Sequence, residues 1–586
     1  MPLSCHNKAR EVLIVYDLKP VHTPVTSGAL LKTLVALAES RITGPLLAKK
    51  MLRDVGIVDF RALPTDDHHP GTPPDQPHVG TQTQNEPTEP ALSAAKALPN
   101  ATLPQGSFCF HTAADYVRAY TEKRQSPSDV AEALLARTTE SDQLEPAMRF
   151  FIAQHDDDVR AQAEEATQRY ARGEALGPLD GVPIAVKDEL DQAGYPTTVG
   201  TRFLGAEVVA NDADVVARLR RAGALLVGKA NMHEIGMGVT GYNHHHGTPR
   251  NPYNTTHATG GSSSGSAAIV GAGLCPIAIG ADGGGSIRIP ASLCGAYGIK
   301  ATFGRLSERG AAPLCWSLAH VGPIAASARD LALAYAVMAG PDPHDANSLR
   351  QPPPTLDGIQ EADLTGLRIG IFDPWFDDAD EAIVTATRGL LDRLCDAGAT
   401  LVPIEIPELS VVRSAHLVTI ATEIAAAQSL VFAAHRKDYG PDIRLKLALA
   451  HRLTGSDYVH AQRHRVRLTH HFLRVLKSVD VIATPMTGST APAWSPKALQ
   501  CGESNLGLAT HIMKYALPAN LTGLPAISVP AGYDESGLPI GLQWIGRHWE
   551  EHTLFRLALL TEAHVVRQAP RVHLSPLTES AQSPLP

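Results

Sequence analysis

Two glycine-framed serine clusters hold the residues of this chain best suited to chemistry. Gly260-Gly261-Ser262-Ser263-Ser264-Gly265-Ser266 opens the stretch, and Asp282-Gly283-Gly284-Gly285-Ser286-Ile287-Arg288 closes it. Ser286 follows three glycines. Successive glycine N–H groups can converge on one point and hold an oxyanion, and one such donor is typically worth about 3 kcal/mol of barrier. A serine attacks a carbonyl at neutral pH only when a base takes its proton. Histidine is the usual partner, yet no histidine stands out as that base. The same glycines also suit an anion-binding nest or a tight turn. A Walker phosphate loop is excluded, because GxxxxGK[ST] is absent from the chain. Lys187 is a second candidate base. It ends the apolar run Ile184-Ala185-Val186, where a lysine ordinarily reaches out to water. Buried and held neutral, it would instead take a proton from Ser262, which in turn deprotonates Ser286.

These residues need a scaffold, and the surrounding pattern describes one. The residues between the two loops are small and apolar, which lets the two serines pack close together. Leu179 to Asp188 reads as a turn and a short buried strand. Asp214 to Ala222 reads as a helix, and Ala224 to Lys229 as another strand. Thr112 and Ser126 begin capped helices, and Ala161 to Arg172 is a further helix. Strands are expected again at Leu367–Phe372, Thr400–Ile406, Val479–Ala483, Ala526–Pro530 and Gly541–Gly546, with mostly helix over 407–480. Alternating helix and strand marks the α/β class. Nearer the N-terminus, Glu11–Tyr16 suggests a strand. Leu30, Leu34 and Leu37, then Leu46, Leu47, Met51 and Leu52, fall at helical spacing on either side of the Thr43-Gly44-Pro45 break. Two readings stand for these helices: packing on the main domain, or a surface for a membrane or a dimer partner. Nine prolines lie within 64–104, which marks a linker.

Composition narrows the function. The chain has 586 residues, 44% apolar and 19% charged, with a formal net charge of −9. No long basic run is present, which argues against nucleic acid as the main partner. Seven scattered cysteines without CxxC spacing indicate neither a disulfide framework nor a zinc site. Three consecutive histidines, His244, His245 and His246, cannot share one helix or strand face, so they make no metal site by themselves; His257 and the His68-His69 pair fare no better. Asp156-Asp157-Asp158 reads as a solvated helix end. No signal peptide or membrane span is read, and a cytoplasmic location is the default.

Taken together, GGSSSGS, GADGGGSIRIP and the upstream VKD lysine resemble the amidase signature family. The resemblance covers roughly residues 110–570 and rests on three separated motifs in the family's order. It implies a triad of Lys187, Ser262 in an unusual cis peptide, and the nucleophile Ser286. It also implies an oxyanion hole from the backbone of Gly283 to Ser286, and a supporting hydrogen-bond role for Ser263. Arg288 is expected to hold the loop. The segments Gly228–Gly238, Asp457–Gln462 and Ala519–Pro530, with Thr26-Ser27-Gly28, look like the plant-type fatty acid amide hydrolase branch. That branch hydrolyses N-acylethanolamines. This finer match implies a homodimer and an apolar acyl channel, with Met237 as a lining residue.

The expected fold is therefore α/β, a mixed twisted sheet covered by helices on both faces. The expected division is a helical N-terminal extension (1–62), a Pro-rich linker (63–105), a catalytic domain (106–572) and a flexible tail (573–586). The expected function is serine-dependent hydrolysis of a C–N amide bond, of fatty acid amides in particular, with no metal or organic cofactor. The partners expected are a small or lipid amide and a second copy of the chain, with peripheral membrane association through the N-terminal helices as a further reading. The alternatives are a general amidase for aryl, short-chain or carbamate substrates, and the amidotransferase component of a tRNA-dependent complex.

Overall fold

A computed structural model describes residues 16–64, 89–98 and 103–578. The strand expected at Glu11–Tyr16 lies, apart from Tyr16, outside these residues, as do His68 and His69. Thirteen strands occur among the described residues: β1 (Thr26–Ser27), β2 (Phe151–Ala153), β3 (Pro183–Lys187), β4 (Leu225–Ala230), β5 (Ile277–Ala281), β6 (Tyr297–Lys300), β7 (Val321–Ala325), β8 (Arg368–Ile371), β9 (Thr400–Pro403), β10 (Val481–Pro485), β11 (Glu503–Ser504), β12 (Ala526–Tyr533) and β13 (Pro539–Ile545). Eleven form one sheet in the order β2-β4-β3-β5-β7-β6-β12-β13-β10-β8-β9. The sheet is mixed. β3 runs parallel to β4 and β5, and β8 parallel to β9 and β10, while the central pairs from β5 to β13 are antiparallel.

Side chains alternate between the two faces of a strand, and this decides where the chemistry lies. On β3, Ile184 and Val186 pack into one core layer with Ile277 and Ile279 of β5. Ala185 and Ala278 face the opposite layer, together with Ala267, Ala268, Ile269 and Val270. Those last four belong to the helix Ser264–Gly271, every residue of which is buried. Its residues are small because the helix lies hard against its neighbours. A Cβ on Gly265 would sit 2.5 Å from the backbone N of Asn231.

The N-terminal helices Gly28–Glu39, Gly44–Asp54 and Ile57–Phe60 pack on the body. β1 pairs with β11, far along the chain, and Arg61 pairs with Asp457 at 2.7 Å. The fully buried face of the first helix is Leu31, Val35 and Ala38; of the expected Leu30–Leu34–Leu37 stripe, Leu34 alone packs on the same cluster, partly buried. Leu30 is 61% exposed and Leu37 43% exposed. Both stripes have helical spacing, and the one that meets Leu445 of the body wins.

Two segments differ from expectation. The Pro-rich linker contains a helix, Glu89–Lys96, whose Ala91 and Ala95 are buried along with the following Leu98. Alanines at helical spacing suit close packing despite the prolines around them. At the other end, residues 573–578 do not fray. Leu574 and Leu577 are buried, and the Leu574 N–H donates to the Ala272 carbonyl at 2.8 Å. The Asp156-Asp157-Asp158 run occupies the first turn of the helix Asp156–Arg172, where acidic residues favour the helix dipole.

Candidate active site

Lys187 ends β3 on the same face as Ala185, and its side chain is fully buried. It does not reach water. Its Nζ donates to Ser262 Oγ at 2.8 Å and to the Ala281 carbonyl at 3.1 Å, and it lies 2.6 Å from Glu189 Oε2. The lysine is thus held by three groups from three elements. Ala281 ends β5, the neighbour of β3, so strand register brings its carbonyl to the lysine. Glu189 was not singled out from the sequence. Its signal is its place two residues beyond a strand-terminal lysine.

Ser262 follows a cis Gly261–Ser262 peptide bond and is 2% exposed. The two serine loops are stitched together directly. The Ser263 N–H donates to the Ser286 carbonyl at 3.2 Å. Ser263 Oγ donates to the Ala281 carbonyl at 3.2 Å and accepts from the Ala281 N–H at 3.3 Å. Ser263 therefore couples both loops to the strand end that also holds Lys187.

The Ser286 loop is built around Asp282. Its carboxylate accepts from the N–H groups of Gly285 and Ile287 and pairs with the guanidinium of Arg288, which also donates to Asn520 and Gln543. Burial opposes the charge on Asp282, but Arg288, the Gly285 N–H and Asn520 outweigh it and hold the carboxyl well below its ordinary value. Arg288 is accordingly a loop-holding residue. This arrangement corrects one expectation. The Gly285 N–H is taken by Asp282 Oδ1 at 2.5 Å, so it is not free to meet an oxyanion. Among the described residues, the N–H groups of Gly283, Gly284 and Ser286 make no such internal bond. Gly285 has φ +111°, and a Cβ there would lie 2.5 Å from Ile289. Neither the conformation nor the space admits another residue. His416, from the long helix Leu409–Ala427, hydrogen-bonds the Gly283 carbonyl through Nε2 at 2.8 Å. Burial lowers this imidazole to about 4, so it is neutral at pH 7 and donates that bond.

Ser286 and Gly284 open into a cavity of about 250 Å³ that Met237 also lines. The cavity continues between Met51, Leu52, Val55 and Ile57 of the N-terminal helices and Leu417, Ile420 and Ile424 of the helix carrying His416. Part of its lining is polar, with His233, Asp442 and Lys446 in the wall. A separate cleft of about 290 Å³ reaches Glu189 and Ala281 and shares no lining residue with the first. The consecutive histidines serve the loop. His245 Nε2 lies 3.1 Å from Glu234, and His246 Nε2 meets the Thr201 carbonyl at 3.0 Å. Among the described residues, no group of three His, Cys, Asp or Glu side chains is placed to hold a metal.

This geometry can be set beside known proteins. Residues 129–555 match the family model described as Amidase. The chain belongs to the amidase family. It is an amide-hydrolysing enzyme, and the helix-covered mixed sheet is the amidase-signature fold. Similar to it is the protein named fatty acid amide hydrolase in Oryza sativa subsp. indica, 38% identical over 95% of each chain. A glutamyl-tRNA(Gln) amidotransferase component of Chloroflexus aggregans is 36% identical over 73% of this chain and 91% of its own. Among solved structures, the native peptide amidase of Stenotrophomonas maltophilia aligns with a TM-score of 0.68 at 28% identity, over 78% of this chain and 98% of its own. The amidase body is thus shared widely. The rice protein also matches along the N-terminal part, where the helices that wall the cavity lie. The helix Leu409–Ala427 is long and apolar enough to cross a membrane, yet 61% of its apolar window is buried within the fold.

Proposed function

We propose that this amidase hydrolyses fatty acid amides such as N-acylethanolamines, with Ser286 as nucleophile, Ser262 as relay and Lys187 as base. The observation that carries the reading is the continuity between Ser286 and an apolar cavity walled by the N-terminal helices. Such a wall would sequester a long acyl chain, at roughly 0.8 kcal/mol per buried methylene.

In this mechanism Ser286 Oγ attacks the amide carbonyl. Its proton passes to Ser262, whose own proton passes to Lys187. The N–H groups of Gly283, Gly284 and Ser286 hold the resulting oxyanion. Collapse breaks the C–N bond, and the proton returns through Ser262 to the leaving nitrogen. Water then attacks the acyl-enzyme and gives up a proton along the same route. The fatty acid leaves, and Ser286 Oγ regains its proton. Glu189 and the Ala281 carbonyl aim the lysine at Ser262 throughout. Met237 contributes to the channel beside the nucleophile, and Ser263 keeps the two loops in register.

The name of the rice relative supports the lipid reading. The amidotransferase reading is disfavoured by the use of residues 51–57 as cavity wall, since the amidotransferase match spans only 73% of this chain. In our reading residues 1–62 are an extension that serves the catalytic domain 106–572. The exposed Val25, Leu30, Leu37, Ile42 and Leu46 support its use as the surface of a homodimer or as a membrane contact. Sedimentation with and without phospholipid vesicles tests that surface: a monomer indifferent to vesicles would exclude both.

The deciding assay compares a long-chain N-acylethanolamine with short-chain and aryl amides. A higher kcat/KM for the long chain is expected, and equal values would overturn the lipid assignment. A fluorophosphonate probe is expected to label Ser286 and to be displaced by acyl amides. Labelling elsewhere would overturn the nucleophile.

A further inference from the structure

The cavity is not uniformly apolar. One face of the helix Pro441–Ala450 runs along it, presenting Asp442 in its first turn and Lys446 at its middle, then Leu449 and Ala450 at its end. From Asp442 to Ala450 is about 12 Å at the rise of an α-helix. The channel therefore grades from polar to apolar along a single helix face.

The polar end holds unused hydrogen-bonding capacity. His233 is 3% exposed in its side chain and Asp442 2%. Neither His233 Nδ1 nor Nε2 has a hydrogen-bond partner, and Asp442 Oδ1 also lacks one. His233 Nε2 stands 3.6 Å from Asp442 Oδ2, beyond an effective hydrogen bond. Buried polar atoms left unpaired cost roughly 1–3 kcal/mol each. Here three of them belong to His233 and Asp442, two residues that line the cavity containing Ser286. The patch is also tied to the reaction centre, because the His233 N–H donates to the Ser262 carbonyl at 3.0 Å.

Charge selects the ligand class. Burial lowers the His233 imidazole, against the pull of Asp442, so at pH 7 it is neutral and offers one donor and one acceptor. Burial opposes the Asp442 charge, but Lys446 and His233 prevail and hold the carboxyl at about 2. Lys446 Nζ lies 3.4 Å from Asp442 and donates to the Met237 carbonyl at 2.7 Å. The charges of Asp442 and Lys446 cancel, so neither a cation nor an anion is favoured. A neutral group that both donates and accepts fits instead.

We propose that His233, Asp442 and Lys446 form a polar subsite that receives a hydroxyl group of the amide substrate. The subsite rests on the amidase reading of Ser286 given above. The hydroxyl has two possible sources, the amine half (as in an ethanolamide) and a hydroxylated acyl chain.

Four amides separate these sources. At one fixed acyl chain, an ethanolamide is compared with the n-propylamide that replaces its hydroxyl with methyl. At fixed n-propylamine, a hydroxylated acyl chain is compared with the plain one. A site built around a hydroxyl rejects the analogue that lacks it. In at least one pair, the hydroxylated member is expected to have a kcat/KM about tenfold higher or more, and that pair identifies the source. His233→Phe and Asp442→Asn are each expected to bring this ratio to within about twofold of unity. The ratio needs only an active fraction, so partial loss of folded protein does not disturb it. Ratios near one in both wild-type pairs, or a ratio unchanged in His233→Phe, would overturn the subsite. Calorimetric binding of the same four amides to Ser286→Ala reads the preference without turnover. A binding preference without any hydrolysis by the wild type would therefore sustain the subsite while overturning the amidase assignment of Ser286.

Discussion

The floor and the walls of the cavity are built on opposite principles. The floor is backbone, small side chains and short hydrogen bonds. Lys187, Ser262, Ser263 and the Asp282–Arg288 pair are all essentially buried, and each is fastened by several partners. Apart from the polar patch of His233, Asp442 and Lys446, the walls are largely Met, Leu, Ile and Val side chains from helices far apart in the chain. They are joined by contact area, which is non-directional. The floor sets positions to a fraction of an ångström, whereas the walls set only volume. A floor of this kind leaves few alternatives for the reaction, and walls of this kind can be remodelled to change the substrate.

This contrast makes floor variants lose turnover on every amide, and wall variants change only the ratio between amides. The largest effect is expected for Ser286→Ala, at about 10⁴-fold or more in kcat on all substrates. An equal loss confined to long chains would break the distinction. Lys187→Met is expected to cost roughly 10²–10⁴-fold, in keeping with general-base catalysis. Arg288→Met tests the floor as structure. It leaves Asp282 as an uncompensated buried charge, a change that costs about 3–5 kcal/mol of stability, to be read as a lower midpoint in urea. Its pH dependence has a defined sign. In the wild type the Asp282 carboxyl is depressed, so its contribution is present above the ordinary carboxylate range, about pH 4, and declines as pH falls toward the lowered value. The deficit of Arg288→Met should therefore narrow on acidification, and a deficit constant from pH 7 to 3 would contradict the pairing. The smallest effect is expected at the wall. Met51→Trp should reduce the kcat/KM ratio of long-chain to short-chain amide about tenfold, the scale of a few methylenes in an apolar pocket.

The legibility of the molecule follows the same division. The two serine loops are continuous in sequence and their glycines mark backbone under steric demand, so the loops themselves stand out, while the roles of Lys187, Ser262 and Ser286 as a triad are what the resemblance to the amidase signature family implies. The α/β class was legible from alternating periodicities, and the expected strands overlap β3, β4, β8, β9, β10, β12 and β13, whereas β2, β5, β6 and β7 of the same sheet carried no expectation. The rest depended on contacts that local pattern does not encode. The N-terminal helix had two stripes of similar spacing, and only the presence of Leu445 decided between them. The commitment of the Gly285 N–H to Asp282 depends on a loop geometry that an unbroken run of three glycines does not reveal. Glu189, His233, Asp442 and Lys446 come from three separate segments; Glu189 is marked only by its nearness to Lys187, and nothing in the local sequence of Asp442 and Lys446 says that they border the site.

The Asp282–Arg288 pair has a further consequence, in the order of synthesis. Its two charges emerge from the ribosome six residues apart, but Asn520 and Gln543, which complete the guanidinium's hydrogen bonds, arrive more than 230 residues later. The helices facing Met51 and Leu52 across the cavity also lie in the second half of the chain. Domains fold as units as they emerge, and here the Ser286 loop gains its full set of hydrogen bonds only when the last strands are in place. A nascent chain that already contains every residue of the proposed triad would still lack the partners that hold Arg288.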